Sequence, residues 1–188
     1  MAYFYCARNE AEKQRAEPEE ILRCILKQLS CSKPELPIRE PVARMYQQRK
    51  EDADQDGSEP IKLSVEDSSE LIIALLNYNP ATIIIDALDE CQPNRRYELM
   101  NALNDIIKES ANLVKVFVSS RDDIDIVLKL AGVPNIFINA SDNHKDIDGF
   151  VHHEVDRAIT DGRLLHGRVS DELKSHIINT LIDGANGM

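Results

Sequence analysis

The stretch "ATIIIDALDEC", residues Ala81–Cys91, decides the fold prediction. Three consecutive isoleucines predict a strand that is buried on both sides, because a strand with one solvated face alternates apolar and polar residues. The strand runs directly into Asp86, and an acidic pair, Asp89–Glu90, follows at once. Magnesium prefers one or two carboxylates together with phosphate oxygens. The stretch therefore predicts a buried strand that ends in half of a metal and phosphate site.

Strand and helix patterns alternate along the chain on both sides of this stretch. Apolar runs predict further strands at 2–7, 113–121 and 135–140, and helical spacing predicts helices at 17–30, 41–53, 64–79, 93–110, 122–132, 144–160 and 171–183. The acidic segment 50–60 has few apolar residues, so we expect a solvated loop there. Strands that alternate with helices predict an α/β fold, with a mostly parallel sheet and helices on both faces.

Polar side chains follow two of the predicted strands and should meet at one rim of the sheet, where such folds bind ligands. A carboxylate there can bind hydrated magnesium, a second can orient an attacking water, and a guanidinium can bind a terminal phosphate. A helix-capping acid is the structural alternative, but the combination of both strand ends favours the metal and phosphate interpretation. The residues at this rim are Asp86, Asp89 and Glu90 after one strand and Ser119, Ser120 and Arg121 after the other.

The composition disfavours several classes of protein. The 188-residue chain carries a formal net charge of −11, so the polyanionic backbone of a nucleic acid would be repelled. No apolar run approaches the roughly 18 residues of a membrane span, and the first residues do not resemble a signal peptide. The four cysteines form no CxxC pair. We therefore predict reduced thiols and a cytoplasmic protein that contacts neither membrane nor nucleic acid.

Three other motifs are weaker candidates for chemistry. "GRLLHGRVS", residues 162–170, has the glycine spacing of a phosphate loop, but Arg168 and Val169 replace the required Lys and Ser/Thr, so we predict a loop between helices. The adjacent pair His152–His153 would lie on different helix faces, which disfavours a metal pair. A haloacid-type phosphatase needs D-x-D at its strand end, whereas this chain has D-x-x-D-E.

The segments "IIIDALDEC", "LVKVFVSSRDDIDI" and "NIFINASDN" resemble the core of a NACHT-type P-loop NTPase, in the nephrocystin-like form common in fungal signalling (STAND) proteins. The opening "AYFYCARNEAEKQRAEPEEILRCILKQL" is similar to the segment that follows the P-loop helix in that family. The resemblance implies a three-layer P-loop NTPase-like fold. It implies a partial nucleotide-binding core at 1–141, through the last sheet strand, and the start of the following helical region at 142–188.

The resemblance also implies a role for each rim residue. Asp86 would serve Mg²⁺, Asp89 and Glu90 would form the acidic pair near the attacking water, and Arg121 would be the sensor-1 residue that detects the terminal phosphate. Complete family members bind Mg²⁺ with ATP or GTP. They act as switches that self-associate and signal through protein partners.

The chain departs from the family pattern because it contains no G-x-x-x-x-G-K-[ST], the loop whose backbone N–H groups surround the phosphates. By the resemblance, the missing P-loop strand would leave a gap between the strands at 113–120 and 135–140, with two exposed strand edges that invite aggregation or insertion of a partner strand. We therefore expect a marginally stable chain that binds Mg²⁺ weakly, binds no nucleotide measurably and is inactive alone. A non-enzymatic interaction or decoy module, or a truncated gene product, is the alternative.

Overall fold

The computed structural model describes residues 1–31, 36–138 and 140–185. They fall into two units, Met1–Gly132 and Val133–Met188. The strands are β1 (Ala2–Tyr5), β2 (Ala81–Asp86) and β3 (Val114–Val118), and the helices are α1 (Pro18–Ser30), α2 (Glu40–Asp56), α3 (Val65–Leu76), α4 (Arg96–Glu109), α5 (Ile124–Lys129), α6 (His144–Thr160) and α7 (Asp171–Ala185). No helix in the described ranges is both long and apolar enough to cross a membrane.

The three strands form one parallel sheet in the order β1-β2-β3. The register places Phe4 beside Ile85 and Ile85 beside Val118, so all three strands end at the same rim. The second edge of β3 pairs with no other strand within the described ranges. The prediction of a parallel α/β sheet is confirmed, and so is the position of β2.

One face of the sheet carries the core of the first unit. Its alternate residues, Phe4, Ile83 and Ile85 among them, pack with side chains of α1, α3 and α4 in a single hydrophobic cluster. The opposite face remains accessible: Tyr3 is 63% exposed and Phe117 is 57% exposed. The prediction that 83–85 and 116–118 are buried on both sides is therefore wrong. Within Met1–Gly132 the helices cover one face of the sheet only, so the described residues of this unit do not supply the third layer of the expected fold.

Local sequence signals explain where the helices begin and end. Pro18 begins α1, where its missing N–H costs nothing. Ser64 caps α3 in a reciprocal capping box with Asp67, as the Ser-x-x-Asp pattern predicts. The prediction of a loop at 50–60 is partly wrong, because α2 continues to Asp56 and ends at Gly57 in a left-handed conformation.

The second unit contains α6 and α7, joined through residues 161–170. Ser170 caps α7, since its Oγ accepts the N–H of Leu173 at 3.3 Å. The glycine-spaced segment 162–170 is the connection between these helices, which confirms the loop prediction. The fourth strand predicted at 135–140 is wrong for 135–138, where Ile136 is 91% exposed and no strand forms. Strands need a hydrogen-bonded neighbour, and 135–138 pairs with no strand among the described residues; Asn139 lies outside them.

Candidate functional site

Asp86 is the last residue of β2 and stands at the rim of the sheet with an exposed side chain. Its backbone oxygen accepts the N–H of Cys6 at 2.9 Å, which ties it to the end of β1. Its Oδ1 accepts a short hydrogen bond from the hydroxyl of Ser119, just beyond β3. The structure thus brings together the two strand ends that the sequence predicts to converge.

The turn after Asp86 depends on an unusual backbone conformation at Ala87. Its φ and ψ are 55° and 53°, a left-handed region that costs a residue with a side chain about 1 kcal/mol. Ser119 supports the turn on both sides: its Oγ accepts the N–H of Ala87 at 3.0 Å, and its backbone oxygen accepts the N–H of Leu88 at 2.9 Å. Strained backbone held by surrounding contacts is common at functional sites.

Asp89 is nine-tenths buried, unlike Asp86, although both are aspartates of the same turn. Its Oδ1 accepts the backbone N–H of Arg121 at 3.1 Å, and its Oδ2 lies 3.8 Å from the Arg121 Nε. The Arg121 side chain is otherwise 86% exposed. The backbone of Arg121 is thereby fixed, whereas its guanidinium remains available to an anion in solvent.

Glu90 is the third acidic residue of the turn and is partly buried. Its Oε2 accepts the backbone N–H of Arg8 at 3.2 Å, which links the turn to the segment after β1. The three carboxylates therefore have different partners: the Ser119 hydroxyl for Asp86 and backbone N–H groups for Asp89 and Glu90.

The family match covers all of these residues. The sequence model of the nephrocystin 3, N-terminal family matches residues 1–121, from β1 to the arginine at the end of the site. The chain belongs to this family. Neither a curated protein nor a solved structure matches it. The match ends before α5 and the second unit, so the family likeness is established for the sheet and its rim.

In this nephrocystin 3 N-terminal chain, one further residue contacts the rim, and no sequence motif predicts it. Arg96 begins α4, and its side chain is 1% exposed. Its Nη2 donates to the backbone oxygen of Asp89 at 2.7 Å, and its Nη1 donates to Asp123 and Asp125 at 2.9 Å. An arginine in the first turn of a helix normally indicates solvated surface, so the sequence carries no signal for this contact.

Two buried thiols lie behind the rim of the family domain. Burial, followed by the nearby Cys91, Asp86 and Asp89 side chains, raises the pKa of Cys6 to about 12. Burial likewise raises the pKa of Cys91 to about 11, and its Sγ donates to the backbone oxygen of Ala16 at 3.3 Å. None of the four cysteines forms a disulfide. Because both pKa values lie far above 7, both thiols are protonated at neutral pH. They act as packing groups, since the thiolate is the reactive form.

The rim fits Mg²⁺ through one carboxylate. The Asp86 side chain is exposed, and its Oδ2 makes no hydrogen bond with the described residues. Within those residues no group of three or more His, Cys, Asp or Glu side chains could hold a metal ion. Magnesium can be bound by so few protein ligands because it retains several waters and binds substrate phosphates. The donor set therefore suits a hydrated Mg²⁺ bound together with a phosphate.

Proposed function

We propose that the chain is part of a nucleotide-operated switch domain, of the NACHT P-loop type, and that the rim is the metal and terminal-phosphate half of its site. The observation that carries the proposal is the Asp86 carboxylate, exposed at the end of the central parallel strand and hydrogen bonded to Ser119. Asp86 would hold a hydrated Mg²⁺ together with the phosphates of ATP or GTP, because ligands of parallel α/β sheets bind at this end of the strands.

Each remaining rim residue has a role that its surroundings support. The bound Mg²⁺ would neutralise charge on the phosphates. Arg121 would bind the terminal phosphate, since its guanidinium is exposed while its backbone is held by Asp89. Glu90 would orient the attacking water with its remaining carboxylate oxygen. Asp89 would contribute through Oδ2, because Oδ1 already accepts the Arg121 N–H.

The phosphate-cradling half is not encoded in these 188 residues, which contain no G-x-x-x-x-G-K-[ST]. Most nucleotide affinity in such sites comes from backbone N–H groups around the phosphates and from the lysine of that loop. We therefore propose that this chain binds a divalent cation weakly, and that nucleotide binding and hydrolysis require a P-loop segment supplied from outside it.

The proposal is tested with the 188-residue chain, Mn²⁺ and Mg-ATP. Nuclear magnetic resonance should show Mn²⁺ broadening centred on Asp86 and Ala87 at millimolar metal, and Asp86→Asn should abolish it. Asp122→Asn, which removes an exposed carboxylate near the rim, is the matched control and should leave the broadening intact. Calorimetry with Mg-ATP should show no binding below millimolar concentration. Micromolar affinity for Mg-ATP, or broadening centred elsewhere, would refute the half-site.

The uncovered face of the sheet favours a second candidate function, a non-enzymatic interaction module. Tyr3, Tyr5 and Phe117 are all more than half exposed on one face of the parallel sheet, and the second edge of β3 is unpaired within the described residues. Exposed apolar faces and strand edges mark surfaces that another layer covers. Self-association of the chain that remains unchanged after Asp86→Asn would favour this function over the switch.

A further inference from the structure

Four residues form a closed ring of hydrogen bonds beneath the rim. Arg96 Nη2 donates to the backbone oxygen of Asp89 at 2.7 Å, and Asp89 Oδ1 accepts the N–H of Arg121 at 3.1 Å. The backbone oxygen of Arg121 accepts the N–H of Asp123 at 2.9 Å, and Asp123 Oδ2 accepts from Arg96 Nη1 at 2.9 Å. The ring thus fixes the backbone of Arg121 through both its N–H and its carbonyl oxygen.

The ring joins two segments that are distant in sequence and carry different parts of the site. The turn that contains Asp89 follows β2, whereas Arg121 and Asp123 follow β3. Arg96 lies on neither segment; it begins α4 and reaches both with the two ends of one guanidinium. The contact at Asp125, 2.9 Å from Nη1, attaches the first turn of α5 to the same group.

Burial makes the guanidinium depend on these partners. The Arg96 side chain is 1% exposed, whereas Asp123 and Asp125 are about half exposed. A buried cation without partners is strongly unfavourable. Removal of the Arg96 guanidinium would also leave the neighbouring carboxylates of Asp123 and Asp125 without a counter-charge. Lysine is a poor substitute, because a compact ammonium lacks the planar fork that spans two acceptors on opposite sides.

We infer that Arg96 is a positioning residue, which sets the placement of Arg121 relative to the acidic turn through this ring. The ring itself is independent of the ligand; its consequence for phosphate binding rests on the proposed function. Arg96 contacts no reacting group. It orients the peptide from which the Arg121 side chain projects, and so determines where a terminal phosphate would be bound.

Amide hydrogen exchange of the 188-residue chain tests the inference. Arg96→Lys and Asp123→Ala each open the ring, at a buried and at a half-exposed position respectively. We expect the Arg121 N–H to exchange at least ten-fold faster in both variants relative to the amides of Ile83 and Ile85 in β2. A merely structural contribution would instead accelerate all protected amides together, through a lower free energy of unfolding.

The controls are the sequence neighbours. Arg95→Lys alters an arginine that forms ion pairs with Glu17, Glu19 and Glu98 and is not part of the ring. Asp122→Ala removes an exposed carboxylate that lies next to the ring residue Asp123 in the sequence. Both should leave the relative exchange of Arg121 unchanged. Should Arg96→Lys fail to fold, Asp123→Ala alone decides the result. The inference is overturned if the Arg121 N–H exchanges at the same relative rate in Asp123→Ala as in its control, Asp122→Ala.

The same samples separate this inference from the proposed function. Mn²⁺ broadening at Asp86 reports the metal site, whereas Arg121 exchange reports the ring. Absence of broadening in the unmodified chain would refute the metal site and leave the ring result standing. Broadening that persists while Arg121 exchange is unaffected by Asp123→Ala would refute the positioning role and leave the metal site standing.

Discussion

Alkaline pH should destabilise this protein through its two buried thiols. The ordinary pKa of a cysteine thiol is 9.0, and burial raises the pKa to about 12 for Cys6 and about 11 for Cys91. The folded state therefore retains both protons at a pH where the unfolded state releases them. The stabilisation is complete below pH 9 and is lost as the pH rises from about 9 towards the folded pKa values.

The size of the loss follows from the proton linkage. Between pH 8 and pH 10 an unfolded thiol becomes ionised, which favours unfolding by about 1.3 kcal/mol, while the folded thiols remain almost wholly protonated. Cys6 and Cys91 together should thus lower the free energy of unfolding by about 2.5 kcal/mol over this range. This is a large fraction of the stability of an ordinary domain, which is about 5–15 kcal/mol.

Urea unfolding under reducing conditions measures this loss. The chain has no tryptophan, so far-ultraviolet circular dichroism is the suitable signal. The double variant Cys6→Ala/Cys91→Ala should begin less stable at pH 8 but lose about 2.5 kcal/mol less than the unmodified chain on transfer to pH 10. Cys31→Ala, at a half-buried position, is the control and should keep the full pH dependence. Equal losses in the double variant and the unmodified chain would refute the reasoning.

Two further predictions concern the cap of α3 and the open face of the sheet. Ser64→Ala should lower the free energy of unfolding by about 1 kcal/mol in urea titrations, because Ser64 Oγ accepts the N–H of Asp67 at 3.1 Å; Ser58→Ala, in an exposed loop, should change it little. The unmodified chain should melt broadly, and in sedimentation experiments it should associate as its concentration increases. Phe117→Thr should reduce that association, whereas the control Tyr97→Ser on α4 should not. A monomer with a sharp high-temperature melt would contradict the second prediction.

The strands that could be predicted from sequence are those whose signals are local. The sequence predicts β2 at 81–86, in agreement with the observed Ala81–Asp86, because the isoleucine run lies between Asn79–Pro80 and an acidic turn. The end of α2 was misplaced although its signal was present: Gly57 is the left-handed residue that terminates the helix. An acidic composition indicated solvent exposure there, and exposure is compatible with a helix as well as with a loop.

The features that could not be predicted depend on partners distant in sequence. The segment 135–138 has the composition of a strand, but strand formation requires an adjacent edge, which composition does not reveal. The sequence alone indicates a surface charge at Arg96, because its partners Asp123 and Asp125 become its neighbours only in the folded chain. The left-handed Ala87 was likewise unforeseeable, because the conformation is imposed by hydrogen bonds to Ser119, 32 residues away.

The two aspartates of the turn show why a sequence motif can locate the rim without assigning a role to each of its residues. Asp86 and Asp89 have the same chemistry and lie three residues apart, yet one is exposed and the other is nine-tenths buried. An exposed carboxylate can exchange water for a cation, whereas the buried one has already committed Oδ1 to the Arg121 N–H. A catalytic role for Asp89 stays a prediction and must act through Oδ2. Asp89→Asn separates the possibilities, because an amide oxygen can still accept the Arg121 N–H and so preserve the ring, while its weaker basicity would impair activation of a water.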